Sequence, residues 1–94
     1  MTAPEVRDNP SASRFEIVVD DNVAGFVDYR RDGDTITLVH TEVGDAYEGQ
    51  GLGGKLARGA LDAVRSSGSS VVPQCEFIAG WIGKHPEYQD LVKP

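Results

Sequence analysis

A single cysteine, Cys75, is all the thiol chemistry in this 94-residue chain. One cysteine closes no internal disulfide, which fits a reducing compartment, and no metal site is expected. Positive charge is also scarce: nine Lys and Arg stand against fifteen Asp and Glu, a formal net charge of −6. Nucleic acid requires a basic face, so it is excluded as the main partner. The acidic residues are scattered, which serves solubility first, although an acidic surface also suits an amine substrate. Nowhere does an apolar run approach the ~20 residues of a bilayer span. Residues 1–13 are polar, carry two prolines and lack the apolar core of a secretion signal. They read as a flexible arm ahead of a single domain over residues 14–94, with no membrane partner and a cytoplasmic location. The length allows one core and not two.

What is present is a clear change of pattern after Arg14. Phe15, Ile17 and Val19 alternate with polar residues as in a half-buried strand. Asp20-Asp21-Asn22 supplies a turn, and Val23–Arg31 a second strand with Gly25 as a candidate bulge. Asp32-Gly33 is a hairpin signal. Thr35–Val43 follows as a third strand. Strict alternation places Ile36, Leu38, His40 and Glu42 on one face and Thr37, Val39, Thr41 and Val43 on the other. Leu52, Leu56, Ala57, Ala60, Leu61 and Val64 recur at helical spacing, so a helix is expected from about Gly51 to Ser66, stopped by Ser67-Gly68-Ser69. A short strand at Ser70–Gln74 contains Pro73, which suits an edge or a place where a ladder opens. A second helix from Cys75 carries Phe77, Ile78, Trp81 and Ile82 as an apolar stripe, and Pro86 ends it before a tail. The expected order is β-β-β-α-β-α, an α/β (α+β) domain. Its antiparallel meander would be joined through a helical crossover to a parallel fourth strand.

The densest signal is Glu48–Gly54, with four glycines in seven residues between strand and helix. Such a turn lets a ligand approach the backbone, and the amides opening the helix make an anion site, most often for phosphate. A Walker loop is ruled out because Leu56 stands where the magnesium-binding hydroxyl belongs. A dinucleotide fingerprint fails because the preceding strands form hairpins.

Glu-Gly-Gln-Gly-Leu-Gly-Gly in this setting resembles the acetyl-CoA pyrophosphate loop of the Gcn5-related N-acetyltransferases (GNAT), with Glu48, Gly51 and Gly53 at the positions of Arg/Gln-x-x-Gly-x-Gly/Ala. His40-Thr41-Glu42-Val43, Val72-Pro73-Gln74-Cys75 and Lys84-His85-Pro86-Glu87-Tyr88 extend the resemblance to the minimal, YjdJ-like single-domain branch, over roughly residues 15–92. The resemblance implies a GNAT-like mixed sheet. It also implies acetyl-CoA held by Gly49, Gln50, Gly51, Leu52, Gly53, Gly54 and Lys55, with its pantetheine arm between diverging strands near Glu42 and Val43. Glu48 departs from the family's Arg or Gln, and Lys55 and Arg58 could offset its charge. The implied reaction is acetyl transfer by direct attack of the primary amine of an unidentified small-molecule or protein acceptor. Glu42 stands where a general base is common, and His40 could share its proton path. Cys75, at the start of the last helix, is a candidate acetyl-accepting nucleophile or polar contact. A CoA-binding or protein-interaction module with little transferase activity is the alternative.

Overall fold

The computed structural model describes residues 3–47 and 49–93. Five strands form one sheet in sequence order: β1 (Glu5–Asn9), β2 (Arg14–Val19), β3 (Asn22–Asp32), β4 (Thr35–Val43) and β5 (Ser70–Pro73). The first four are antiparallel neighbours, and β5 joins β4 in parallel after the helix α1 (Leu52–Ser66). Helix α2 (Glu76–Gly83) follows. Three short 3-10 segments complete the order, at Pro10–Ala12, Asp45–Tyr47 and Pro86–Leu91. No helix among the described residues is long and apolar enough to cross a membrane.

The meander has one strand more than the hydrophobic pattern suggests. Glu5–Asn9, expected within a loose arm, pairs with Arg14–Val18 along its whole length. Its sequence is polar because a strand at a sheet edge needs only a few inward side chains. Val6 packs on Gly59 of α1, where even a Cβ would come within 2.5 Å of it, and Asp8 accepts a 2.6 Å hydrogen bond from the Tyr29 hydroxyl. The Asp20–Asp21 turn holds both residues at positive φ, 49° and 68°, as a two-residue primed hairpin requires.

The stripe expected on α1 is the one it buries: Leu52, Leu56, Ala57, Ala60, Leu61 and Val64. They cover one face of the sheet with Phe15, Ile17, Val27, Ile36, Leu38 and Val71, each such side chain contributing roughly 1.5–3 kcal/mol. The segment after Pro86, expected to be a tail, instead closes the core with Tyr88 and Leu91. Arg65 clamps it to α1 through a two-pronged pair with Asp90 at 3.0 Å and a bond to the Glu87 carbonyl at 2.7 Å.

Two irregularities shape the middle of the sheet. The first is a bulge in β4. Asp28 pairs with His40 but Tyr29 pairs with Leu38, so Val39 is an extra residue. One extra residue reverses the alternation beyond it. Ile36 and Leu38 are buried under the helices, and past the bulge Thr41 and Val43 take that side, opposite Val27 and Gly25. The second lies in β5. The Gln74 N–H turns back to the Val72 carbonyl at 3.0 Å, and Cys75 N–H takes the Leu38 carbonyl at 2.9 Å instead. Pro73 is the centre of that tight turn, whose φ is close to the value its ring enforces. The β4–β5 ladder therefore ends at the Leu38–Pro73 pair, and the C-terminal half of β4 runs on beside an opening.

Candidate functional site

Gly51 caps α1 in the left-handed region, φ 72° and ψ 18°, a conformation that costs glycine little. The amides of Leu52, Gly53 and Gly54 come first in the helix and have no intrahelical acceptor. Among the described residues no side chain caps them and no acidic residue sits in the first turn, which leaves them and the positive end of the dipole for an anion. Val43, Tyr47, Gly49, Gly51, Gly53 and Phe77 wall a hollow of about 330 Å³ at this cradle. It continues into a second of about 280 Å³ bounded by Thr41, Val43, Gly53 and Phe77. The glycines matter sterically here, since a Cβ on Gly53 would sit 3.0 Å from the Phe77 ring. Gln50 and Lys55 stand exposed beside the cradle, outside the groove wall. Arg58 does not face the cradle as an offsetting charge. It bonds the Tyr88 hydroxyl at 3.1 Å, lies 3.8 Å from Glu87 and stacks over Trp81. Glu48 lies outside the described residues.

The groove ends at Thr41, and beside Thr41 stands Cys75, the N-cap of α2. Its sulfur is 3.3 Å from the Thr41 hydroxyl. Partial burial pushes the thiol pKa up. The Thr41 hydroxyl and the N–H groups of Ile78 and Phe77 at the start of α2 favour the thiolate more strongly, so the net pKa lies below the ordinary value. Thr41, absent from the sequence-based candidates, reaches the thiol because of the bulge at Val39, which strict alternation hides. Phe77 is a second correction. Ile78 and Ile82 are buried, but Phe77 is 44% exposed and belongs to the groove rather than the core. Trp81, four residues on, stacks on His85 at 3.7 Å.

His40 and Glu42 are brought together, with Nε2 and Oε1 3.3 Å apart and both side chains more than half exposed. They lie on the outer face of the sheet, not on the side of Ile36 and Leu38 that alternation predicts. The bulge is again the reason. Thiol and carboxylate thus flank the β4–β5 opening from opposite faces. Among the described residues no group of three or more His, Cys, Asp or Glu side chains could hold a metal.

An uncapped helix start, a groove beside a splayed strand pair and a thiol close to its end mark the candidate site. Comparison with known proteins shows the class to which the domain belongs. A family profile described as GCN5-related N-acetyl-transferase matches residues 14–91, and the chain belongs to that family. It is similar to Protein NATD1 of Mus musculus (34% identical over 61 residues, 63% of this chain and 56% of the relative) and of Xenopus tropicalis (32% over 62 residues, 64% and 57%). The match thus spans little more than half the length of these relatives. The solution structure of a GCN5-like protein from Staphylococcus aureus superposes with a TM-score of 0.72 at 27% identity, covering 99% of this chain and 91% of that one.

Proposed function

We propose that the protein binds acetyl-CoA and transfers its acetyl group to a primary amine. The observation that carries this is the continuity of the groove, from the uncapped amides of α1, past Val43 and Phe77, to Thr41, whose hydroxyl lies 3.3 Å from a thiol with a lowered pKa. Acetyl-CoA supplies an acetyl thioester. The amides of Leu52, Gly53 and Gly54 bind its phosphates, with Gly49, Gln50, Gly51 and Lys55 around them, and Val43 borders the arm that follows. Thr41 and the start of α2 hold the Cys75 sulfur as a nucleophile. Its thiolate forms a bond to the acetyl carbon while the bond to the CoA sulfur breaks with its electron pair. The amine then displaces Cys75, and its surplus proton passes to the His40–Glu42 pair on the outer face.

Titration calorimetry with acetyl-CoA tests the first half, and no heat at millimolar ligand would sink the whole reading. Intact-mass measurement tests the second. Wild-type protein gains the mass of one acetyl group on Cys75, whereas Cys75→Ala gains none and loses turnover with CoA affinity nearly unchanged. Full activity in that variant would return the chemistry to direct attack assisted by Glu42. Binding without turnover on any amine would leave a CoA-binding module.

A further inference from the structure

The outer face carries a second hollow, of about 480 Å³ and open to solvent, bounded by Ala12, Ser13, Asp28, Arg30, Val39 and Gln74. That volume is within the ~300–1,000 Å³ of small-molecule sites. Val39 and Gln74 are the residues at which β4 and β5 part, one as the bulge and the other turned out of the ladder. Thr41 and Cys75, close by on the same two segments, meet on the inner side. The hollow therefore lies on the outer face at the place where the two strands part, and the thiol lies on the inner face beside it.

Two charged side chains border it without a charged partner among the described residues. Asp28 is half-buried, and its side chain makes no hydrogen bond or ion pair among the described residues. Its cross-strand neighbours are Arg14 and His40. Arg14 is engaged by Glu16 at 2.8 Å and by the Phe26 ring at 4.6 Å, and His40 by Glu42. The Asp28 carboxylate is left without a cation. Arg30 lies two residues along the same face, and its guanidinium bonds only Gln74 among the described residues, at 3.4 Å. At ~3.3 Å of strand per residue the two backbones are roughly 7 Å apart, so both side chains reach over one hollow. A carboxylate and a guanidinium converging in this way match an ammonium and a carboxylate carried on the same small molecule.

We infer that this hollow is the acceptor site and that the acceptor is a zwitterion of amino-acid size. The fate of the amine rests on the acetyl-transfer reading, but its binding does not. Asp28 holds the ammonium and Arg30 the carboxylate. His40, directly across from Asp28, takes the proton that frees the nitrogen's electron pair. The nitrogen then bonds the acetyl carbon as the carbon–sulfur bond breaks toward sulfur, and its second proton passes to the thiolate that leaves.

The test is amide NMR on the full ¹⁵N-labelled chain titrated with L-alanine and with its two halves, ethylamine and propionate. L-alanine is expected to shift the amides of Asp28, Arg30, Val39 and Gln74 and to bind at least about tenfold more tightly than either half. Asp28→Asn and Arg30→Gln should each remove that advantage without changing the thermal midpoint. Equal responses to the three probes, no response, or shifts confined to other residues would overturn the inference. L-alanine binding here without acetyl transfer would support it and sink only the proposed reaction. Acetylation of ethylamine with no preference for L-alanine would do the reverse.

Discussion

Replacing Thr41 with valine removes one hydroxyl from the inner face while keeping the side chain's shape. The lost group lies 3.3 Å from the Cys75 sulfur and is foremost among those favouring the thiolate against the effect of burial. A hydrogen bond to a charged group contributes ~1.5–3 kcal/mol. Sulfur is a weak acceptor and the site is partly open to water, so roughly 1 kcal/mol is the appropriate scale. At ~1.36 kcal/mol per tenfold, the thiolate population at pH values below the pKa falls about fivefold. The sign is fixed: losing a donor to the charged form raises the pKa, so the pH profile of reactivity moves upward. Iodoacetamide alkylation of Cys75, followed by intact mass from neutral to alkaline pH, reads this directly, with Cys75→Ala as the blank. Superimposable profiles for Thr41→Val and wild type would refute the reasoning. They would mean that the hydroxyl does not face the sulfur and that the bulge does not set the phase of β4 as described.

Gly53→Val should leave the fold nearly intact, because the Phe77 ring it would press at 3.0 Å is free to swing outward. It should weaken acetyl-CoA binding at least about tenfold by filling the groove, read by calorimetry; unchanged affinity would remove the ligand from this groove. Gly51→Ala acts on the backbone instead. At φ +72° the added Cβ costs ~1–2 kcal/mol, a fall of roughly 4–8 °C in Tm per kcal/mol for a domain of this size. An unchanged melting curve would contradict the left-handed cap. Glu16 is buried, and the hydrogen bond from Arg14 outweighs burial to hold its pKa below the usual carboxylate value of 4.5. A lowered folded-state pKa means that its charge stabilises the fold above the unfolded value, a contribution lost as pH falls through the folded one. Thermal midpoints should therefore drop more steeply below pH 4.5 in wild type than in Glu16→Gln, and parallel curves would refute this.

How far the sequence is legible depends on whether a feature is periodic. The α1 stripe, the two hairpins and the parallel strand after the crossover follow from spacing and turn chemistry, and so does the glycine cradle. The edge strand Glu5–Asn9 does not, because its pairing is satisfied by backbone groups that every sequence has. The stripe on α2 misleads for a related reason. Phe77 and Trp81 run parallel to Ile78 and Ile82, and periodicity alone does not say which pair meets the core. The bulge at Val39 is the costliest omission. Nothing in Leu38-Val39-His40 marks an extra residue, yet it exchanges the faces of Thr41 and Glu42. The candidate residues stand out by their neighbourhood in the chain, but which of them share a side of the sheet is visible only in three dimensions.

The tight turn at Pro73 has an evolutionary corollary. By turning Gln74 outward and drawing the Cys75 amide back to Leu38, one ring delivers consecutive side chains to the two compartments that the sheet separates. A change at this position would disturb thiol and outer hollow together, whereas changes at Thr41 or Asp28 touch one compartment alone. On the proposed reading, adaptation to a new acceptor proceeds through the outer residues while the hinge of the arrangement stays fixed.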